Sequence, residues 1–531
     1  MKIMKRVIYT ILLAAATGVT SCKDFLETTP TDFITPANYF RNENDVNVAL
    51  AGVYDILGKC YSRTLWWEAD VADQFFDNRS YATQDVSLNN FDASETKIAS
   101  LWQNLYLGID RANVLLANLD KADMDTGKKE VARGEAKFLR AYYYFLLVNY
   151  WGDVPFRTQP TTSVNDVNIA RTPSKEIYAF VVKEMEEAEA LVNKISAYAH
   201  NSRVTKSAVR GILARVYLKM AGYPLNDKTK YADALKWALK VNENGEHSLN
   251  PSYAQIFINH SKDLYDKQEG IWEVEFNKVG ELTYEEGNLG VVSGIPTTNT
   301  DIGYSTGVIQ VLEKHFRLYP SAQRDSITPT GTVVKVEYSP DTRRDWNIAP
   351  FYYSGTTKVY YSLTQLYNRK NGKWRREYET ALPKAQNTSP ANFPVLRYAD
   401  VLLMIAEAEN EVNGPTEIAY NAVNAVIRRA YATPSEAVGL KDLSQDQFRA
   451  ALKEERAREL FSEALRKFDL IRWGDYLTEM RALGNSIRTT APSAYVYAAR
   501  AADNSSERSL LLPIPLTELT LNNLITQNTG W

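Results

Sequence analysis

The chain has 531 residues, of which 45% are hydrophobic and 24% charged, and this composition excludes a wholly disordered, collagenous or coiled-coil protein. Its 61 basic and 64 acidic residues give a formal net charge of −3, so it lacks the basic surplus of nucleic-acid binders. Four histidines and two cysteines match no HExxH or CxxC signature. Calcium is compatible with the many loop Asp and Asn residues, but no DxDxDG-type loop is present, and we predict no cofactor.

The first 22 residues carry the signals of an exported lipoprotein. Three basic residues precede 13 mostly apolar residues, 7–19, which are too few to span a bilayer that needs about 20. The following Val-Thr-Ser-Cys, ending at Cys22, resembles a bacterial lipobox, in which the cysteine is lipidated and the chain is cut before it. We therefore predict a signal peptide over 1–21 and a lipid anchor on Cys22; the alternative is a cysteine that merely follows the cleavage site. Cys60 would then have no disulfide partner, and we interpret it as a small buried hydrophobe.

From about residue 44 to 245 the apolar spacing predicts one helix after another. Apolar residues recur three or four positions apart in 101–119 and 128–149. Further helices are predicted in 173–193, 204–222 and 231–244. Helices of this length joined by short turns are typical of tetratricopeptide-like pairs, although a clean 34-residue period is not present.

The composition changes between residues 246 and 395. Gly, Pro, Thr, Asn and Tyr replace Ala, Leu and Glu there, and the helical periodicity is lost. Segments 290–307 and 351–374 are typical of loops with short strands or hairpins. Helices are predicted again in 397–412, 416–430 and 445–472, before a mostly irregular tail.

The predicted fold class is therefore mainly α, with tetratricopeptide-like helix pairs, a loop-rich irregular insert and few short strands. After the signal peptide we divide the chain into an N-terminal helical region (22–245), an irregular ligand-binding insert (246–395) and a C-terminal helical region with its tail (396–531). Long loops on a rigid scaffold are where binding residues tend to lie, so ligand contacts are expected mainly in the insert.

No catalytic constellation is recognisable in the sequence. It contains no GxSxG motif, no Walker loop and no GxGxxG after a strand. Charged residues of 454–474 can pair at helical spacing, as Glu455 with Arg458 and Asp469 with Arg472. We interpret these as a solvated or semi-buried ion network, because such pairs are far more often structural than catalytic.

Binding chemistry has more support, because the chain contains 10 Trp, 33 Tyr and 18 Phe. Sugars present apolar C–H faces and hydroxyl groups, so their sites combine flat aromatic rings with amide or carboxylate side chains. The ligand contacts that we predict are Trp67, Asp73 and Tyr81 in a loop after the first helix, and Tyr304, Trp346 and Tyr353 in the insert. Core packing or loop support is the competing interpretation for each of them.

Five segments, in order along the chain, together carry a family resemblance. They are CKDFLETTPTDFIT (22–35), GEAKFLRAYYYFLLVNYWGDVP (134–155), PVLRYADVLLMIAEAENEV (394–412), EERARELFSEALRKFDLIRWG (454–474) and PIPLTELTLNNLITQNTGW (513–531). This set resembles the SusD/RagB family, the surface lipoproteins of starch-utilisation-like systems in certain Gram-negative bacteria. The match is weakest near 60–95 and 270–390, where ligand specificity is expected to reside.

The resemblance implies an α-helical, non-enzymatic protein that is anchored in the outer membrane through Cys22 and faces outward. It also implies a partner, a SusC-like TonB-dependent transporter, to which the protein delivers captured oligosaccharide or polysaccharide. Three alternatives stay open. The first is a peptide-binding lid of a peptide-importing transporter of the same type, and the second is a surface glycoside hydrolase that uses two carboxylates. The third is a helical scaffold that only contacts the barrel of the transporter.

Overall fold

A computed structural model describes residues 39–531, apart from 162, 164–167, 277, 280–281, 284–286 and 328–330. The predicted signal peptide and Cys22 therefore lie outside the described residues. Within the described part, no helix has the length and apolar character needed to cross a membrane. Cys60 is fully buried, as predicted.

Helices form most of the regular structure. In chain order they are α1 (Glu43–Tyr61), α2 (Thr96–Asn118), α3 (Thr126–Trp151), α4 (Ser174–Leu191), α5 (Lys206–Ala221), α6 (Lys230–Lys240), α7 (Tyr253–Lys262), α8 (Glu313–Phe316), α9 (Arg343–Asn347), α10 (Tyr398–Asn413), α11 (Glu417–Ala430), α12 (Gln445–Glu459), α13 (Arg466–Trp473), α14 (Tyr476–Thr490), α15 (Arg500–Asp503) and α16 (Leu516–Leu521). The predicted mainly helical fold class is confirmed.

The strands are short and pair only in antiparallel couples in the part of the chain that the structure describes. They are β1 (Phe75–Asp77), β2 (Val154–Pro155), β3 (Arg171–Thr172), β4 (Gly270–Val274), β5 (Lys278–Val279), β6 (Leu282–Thr283), β7 (Ile309–Val311), β8 (Ala322–Ile327), β9 (Val333–Tyr338), β10 (Phe351–Ser354), β11 (Thr357–Tyr360) and β12 (Phe393–Arg397). The couples are β1 with β7, β2 with β3, β4 with β12, β5 with β6, β8 with β9, and β10 with β11. The hairpin predicted within 351–374 is confirmed.

Local sequence explains where the long helices begin and end. Asn42 caps α1 by accepting a hydrogen bond from the Asp45 amide at 3.1 Å. Asp125 caps α3 in the same way, and Gly152 ends that helix with a φ of +72°, a value that glycine adopts without steric cost.

Successive helices pack against one another from α1 to α6, and α6 then packs on α10, which contacts α11 and α12. The C-terminal half of α3, from residue 138 to 151, is buried on all sides and forms the centre of the core. Trp272 of β4 packs edge-on against Phe138 at 5.2 Å and Tyr142 at 4.9 Å between ring centroids. The insert is therefore anchored to the helical scaffold by aromatic packing. The 34-residue period and the region boundaries stay predictions.

Two sequence predictions about local structure are wrong. The helix predicted over 445–472 is broken into α12 and α13, because Ser462 and Ala464 between them adopt left-handed backbone angles, with φ of +58° and +59°. Helical structure is also not lost throughout the insert, since α7 forms ten residues of helix there, capped by Ser252.

Candidate ligand-binding surface

Trp67, a predicted ligand contact, lies in a π-helical turn after α1 and is only 1% exposed. The guanidinium of Arg63 lies 4.6 Å from the centre of the Trp67 ring, and that of Arg79 lies 5.8 Å away. Both cations stabilise the ring electrostatically while covering it. This burial weighs against Trp67 as an open platform for a ligand.

Asp73, the second predicted contact, is 4% exposed and ion-paired. Its carboxylate accepts hydrogen bonds from Arg466 at 2.8 and 2.9 Å and from Lys314 at 3.0 Å. Burial alone would raise the pKa of Asp73, but the two cations outweigh it and hold the pKa well below its ordinary value. Asp73 thus fastens the first loop to α8 and α13, which also weighs against a role in ligand contact.

Tyr81, the third predicted contact, is the most open of the six, with 81% of its surface exposed. It lies in a turn in which the Ala82 amide donates to the Arg79 carbonyl at 2.9 Å, and the Ala82 carbonyl accepts a hydrogen bond from Arg500. The structure therefore leaves Tyr81 accessible on an anchored turn.

The structure brings the predicted residues Trp346 and Tyr353 together around Arg375. The Arg375 guanidinium lies 4.0 Å from the centre of the Trp346 ring, which is 8% exposed. Tyr353 is half-buried and donates its hydroxyl to Glu377. Tyr304, the sixth predicted contact, is half-buried elsewhere in the insert, and its carbonyl accepts from Arg376 at 2.7 Å. Ligand contact by any of the six residues stays a prediction.

A set of aromatic rings from three distant parts of the sequence meets at the surface. We name it the tyrosine surface, and it consists of Phe76, Tyr352, Tyr361, Tyr367, Tyr495 and Tyr497. The rings of Tyr352 and Tyr361 lie 5.2 Å apart, and those of Tyr367 and Tyr495 lie 5.5 Å apart and nearly parallel at 25°. Tyr495 continues to Tyr497 at 6.2 Å.

Some of these rings form a floor and others face solvent. Phe76 and Tyr367 are each 4% exposed, and their rings lie 6.0 Å apart. Tyr352 is 36% exposed, and Tyr361 and Tyr495 are half-buried. Tyr495 thus stacks on the buried Tyr367, and the partly exposed pair Tyr352 and Tyr361 lies next to Tyr495. Partly exposed aromatic rings of this kind can stack on the apolar face of a sugar ring.

Short elements of the fold fix the position of each ring. Strand β1 pairs with β7 through Phe76 opposite Gln310. The hairpin of β10 and β11 pairs Tyr352 with Val359 and Tyr353 with Lys358, so that Tyr352 and Tyr353 project to opposite faces. Tyr353 consequently points towards Glu377, whereas Tyr352 joins the tyrosine surface.

Polar groups border the tyrosine surface. The Tyr497 hydroxyl donates to the Asn78 carbonyl at 3.2 Å, and the Asn78 amide group donates to the Gly307 carbonyl at 2.9 Å. Burial and the neighbouring hydroxyls of Tyr352 and Tyr495 raise the pKa of Tyr361 to about 12. The Tyr361 hydroxyl is therefore protonated at neutral pH and can both donate to and accept from a sugar hydroxyl.

A buried ion network holds the insert against the C-terminal helices. Glu459 of α12 accepts hydrogen bonds from Arg343 at 3.0 Å, from Arg397 at 3.0 Å and from Arg429 at 2.6 Å. Burial raises the pKa of Glu459, but the three arginines outweigh it and keep the pKa well below its ordinary value. The pairs predicted at helical spacing do form, with Glu455 bonded to Arg458 at 3.0 Å, but the network is buried and not solvated.

These carboxylates are occupied by arginines, and none of them is poised as a free acid or base. Within the described residues, no group of three or more His, Cys, Asp or Glu side chains is placed to hold a metal ion. The chemistry that the surface offers is stacking and hydrogen bonding.

None of the six predicted ligand contacts belongs to the tyrosine surface. Tyr352, Tyr361 and Tyr367 lie within the segment predicted as loops with short strands or hairpins, 351–374, but nothing in the sequence groups them with Phe76, Tyr495 and Tyr497. The alternation Tyr-Val-Tyr at 495–497 is visible in the sequence. Its significance depends on Tyr367, which lies more than a hundred residues earlier in the chain.

Comparisons with known proteins agree with this architecture. Residues 268–531 match the family model described as "SusD family", and residues 24–218 match the one described as "Starch-binding associating with outer membrane". The chain is 28% identical to SusD-like protein P25 of Formosa agariphila, over 99% of this chain and 98% of that protein.

Two solved structures show the same fold. The crystal structure of a SusD homolog from Bacteroides thetaiotaomicron superposes with a TM-score of 0.83 at 27% identity, covering 93% of this chain and 98% of that one. Surface glycan-binding protein A from Bacteroides fluxus has a TM-score of 0.71 at 20% identity, covering 92% and 100%. From the two family models, which together match most of the chain, and from the shared fold, we conclude that the chain belongs to the SusD family.

Proposed function

We propose that this protein is a non-enzymatic, lipid-anchored glycan-binding protein of the cell surface that captures oligosaccharide or polysaccharide and delivers it to a SusC-like TonB-dependent transporter. The observation that carries the proposal is the tyrosine surface, with partly open rings at Tyr352, Tyr361 and Tyr495 over a buried aromatic floor. The names of relatives that bind starch or surface glycans support the cargo class.

The anchor and the transporter follow from the family and from the start of the sequence. Cys22 is the lipidated residue in this proposal, and the 16 residues between it and Tyr39 connect the anchor to the described fold. A chain of 16 residues reaches at most about 55 Å when extended, so the folded part would stay close to the outer leaflet. This proximity is what a protein acting on an outer-membrane transporter needs.

The absence of catalysis is part of the proposal. The tyrosine surface offers aromatic faces, neutral hydroxyls and amides, and Glu459 of the buried ion network is bonded to Arg343 and Arg397. Glycoside hydrolysis requires a protonated acid and a second carboxylate flanking the bond to be cut. The arginines around Glu459 hold its pKa below the ordinary value, which is the opposite of what a catalytic acid requires.

The test uses the purified chain from Lys23 onward, which contains every residue that the structure describes. We expect its migration in native gels to be retarded by at least one polysaccharide from a panel that includes starch and laminarin. A double variant, Tyr361→Ala with Tyr495→Ala, should lose the retardation. Tyr265→Ala is the control, because Tyr265 is a partly exposed tyrosine that lies beside His200 and outside the tyrosine surface.

Three results would count against the proposal. Retardation that persists in the double variant would place the glycan elsewhere. Calorimetric binding of oligopeptides without any glycan binding would favour the peptide-importing alternative, in which backbone pairing replaces stacking. Release of reducing sugar from a bound polysaccharide would establish an enzyme.

A further inference from the structure

A continuous chain of ion pairs crosses the core between α5, α10, α12 and α13. We name it the ion chain, and its members alternate in sign in the order Arg215, Asp400, Arg456, Asp469, Arg472 and Glu407. The contacts along it are 2.8, 2.9, 2.8, 2.8 and 2.7 Å. Three arginines face three carboxylates, so the ion chain is electrically neutral. Neutrality is required, because an uncompensated charge in the core costs several kcal/mol.

Lys219 adds a fourth cation beside this neutral chain. It lies on α5, one turn after Arg215, and is 5% exposed. Arg472 and Asp469 are the charges that act on it, and both are already committed to the ion chain. Among the described residues, no carboxylate and no hydrogen-bond acceptor contacts the Lys219 ammonium group. The pocket around it therefore holds one more positive charge than negative.

The space next to Lys219 is a cavity of about 40 Å³. Its lining includes Tyr61, Tyr142, Asn149, Arg215 and Lys219. A single water needs about 10–15 Å³ when space is measured in this way, so the cavity has room for one larger ion or for a few waters.

Most polar groups of the lining are hydrogen-bond donors, and its one carboxylate, Asp469, already accepts from Arg456 at 2.8 Å and from Arg472 at 2.9 Å. The buried Arg215 Nε–H has no acceptor within the described part of the chain. Tyr61 and Tyr142 share one hydrogen bond between their hydroxyls, so one of the two hydroxyl protons is left to point elsewhere. The Asn149 Oδ1 already accepts from Tyr178 at 3.4 Å, whereas its Nδ2 donates to no described residue.

A lining with an excess of donors and of positive charge favours a group that accepts hydrogen bonds. Water brings two donors of its own, and the ammonium of Lys219 and the guanidinium of Arg215 offer nothing to accept them. A small anion accepts from every side and also neutralises the extra charge. Both the charge balance and the excess of donors therefore favour a small anion in the cavity.

We propose that this cavity is a structural binding site for one small monovalent anion, of the size of chloride, held by Lys219, Arg215 Nε and the Tyr61–Tyr142 hydroxyl pair. The site lies behind the C-terminal half of α3 and is separate from the tyrosine surface. Its role is to complete the packing of α3, α5 and α13 without leaving an unpaired buried cation.

The rival explanation is a neutral lysine. Burial and the nearby Arg472 lower the pKa of Lys219 to about 7, with Asp469 opposing the shift. An empty cavity with a deprotonated Lys219 would need no anion at all. The two explanations differ in a measurable way, because only the bound anion makes stability depend on which anion is in the buffer.

The first experiment locates the ion. Crystals of the chain from Lys23 are grown with bromide as the only halide, and anomalous scattering is measured at the bromine absorption edge. We expect a peak in the cavity within about 3.5 Å of Lys219 Nζ, a distance in the range of charge-assisted hydrogen bonds to a large anion. Density without anomalous signal would identify water and overturn the proposal.

The second experiment measures thermal unfolding in chloride and in gluconate, which is too large for the cavity, at equal ionic strength. We expect the Tm to be about 1–3 °C higher in chloride. In Lys219→Met, which keeps the length of the side chain but removes its charge, that difference should vanish. Lys183→Met, at a lysine whose side chain is 76% exposed, should retain it.

The results of the two experiments distinguish a bound anion from a neutral lysine. An equal Tm in both salts for the unmodified chain would favour the neutral lysine and overturn the proposal. A chloride effect that survives in Lys219→Met would show that the anion acts elsewhere. Neither experiment involves a glycan, so failure here leaves the proposed function untouched.

Discussion

The first loop and the tyrosine surface are both rich in aromatic residues, yet the structure uses them in opposite ways. Trp66 and Trp67 of the first loop are 0% and 1% exposed, and Arg63 covers the Trp67 ring. Tyr352 and Tyr361 of the tyrosine surface keep part of their rings open to solvent. The tryptophans of the first loop pack inside the protein, whereas the tyrosines of the tyrosine surface are accessible to a ligand.

The physical difference lies in where the polar group of each aromatic side chain finds its hydrogen-bond partner. The Trp66 indole donates its N–H to the Ser62 carbonyl at 3.2 Å, so the whole side chain can be buried without loss. A tyrosine ring with its hydroxyl at the surface is stable half-buried, with an apolar body and a wet tip. The predictions that follow test whether the first loop acts on stability and the tyrosine surface acts on binding.

The largest effect is expected for Trp67→Ala. Removing a fully buried indole leaves a cavity under Arg63 and Arg79 and should lower the free energy of unfolding by about 3–5 kcal/mol. Urea unfolding followed by circular dichroism measures this, and Trp67→Phe should lose clearly less. If the alanine variant were as stable as the parent protein but bound glycan poorly, Trp67 would be a ligand contact after all.

A smaller loss is expected for Asp73→Asn, about 2–3 kcal/mol, because Arg466 and Lys314 lose their shared counter-charge. The folded-state pKa of Asp73 lies below the unfolded value near 3.9, so this stabilisation is fully present above about pH 5. It is lost as the pH falls through the folded-state pKa. Unfolding curves of parent and variant should therefore differ at pH 5–8 and converge towards acid; a constant difference would show that charge is not the cause.

Tyr495→Ala tests the other side of the comparison and rests on the proposed function. Tyr495 stacks on Tyr367 and continues to Tyr497, so its loss interrupts the row of rings. We expect the Kd for the bound oligosaccharide to rise about tenfold, which corresponds to about 1.4 kcal/mol. Calorimetry measures this change, and Tyr495→Phe, which keeps the ring, should retain most of the affinity. An unchanged Kd for the alanine variant would exclude Tyr495 from the site.

The smallest effect is expected for Tyr81→Ala. With 81% of its surface exposed, the side chain contributes little to packing, and the free energy of unfolding should change by less than about 0.5 kcal/mol. Its turn is tied to Arg500, whose guanidinium lies 5.7 Å from the centre of the Tyr497 ring. A measurable rise in Kd without loss of stability would extend the ligand site to Tyr81, and a large loss of stability would contradict the assignment.

The sequence was a good guide wherever a local pattern carries the information. Apolar spacing located α3, α5 and α10 within a few residues, because one face of each helix must be buried whatever it packs against. It failed at 460–465, where the left-handed angles of Ser462 and Ala464 break a continuous helical pattern. Serine and alanine do not favour left-handed backbone angles, so the sequence does not predict the break between α12 and α13. Tertiary contacts stabilise it, such as the hydrogen bond that the Asn371 amide group donates to Ser462 Oγ at 2.8 Å.

For the candidate site the sequence supplied the residue types but not their grouping. It singled out Trp346 and Tyr353, which the structure does bring together around Arg375. It also singled out Trp67 and Asp73, whose burial depends on Arg63, Arg79 and Arg466. Arg63 and Arg79 are near Trp67 in the sequence, but their position over its ring depends on the fold, and Arg466, 393 residues from Asp73, leaves no trace in the local composition.

The sequence by itself determined the helical scaffold, the aromatic supply and the family, because periodicity, composition and ordered motifs are properties of the chain. Only the tertiary structure decided which aromatic rings are open. The exposure of a ring depends on the side chains that cover it. Trp67 is covered by Arg63, four residues away in the sequence, whereas Tyr367 is covered by Tyr495, which lies near the C-terminal end of the chain. The same is true of Lys219, which is an ordinary helix residue in the sequence and an unpaired buried cation in the fold.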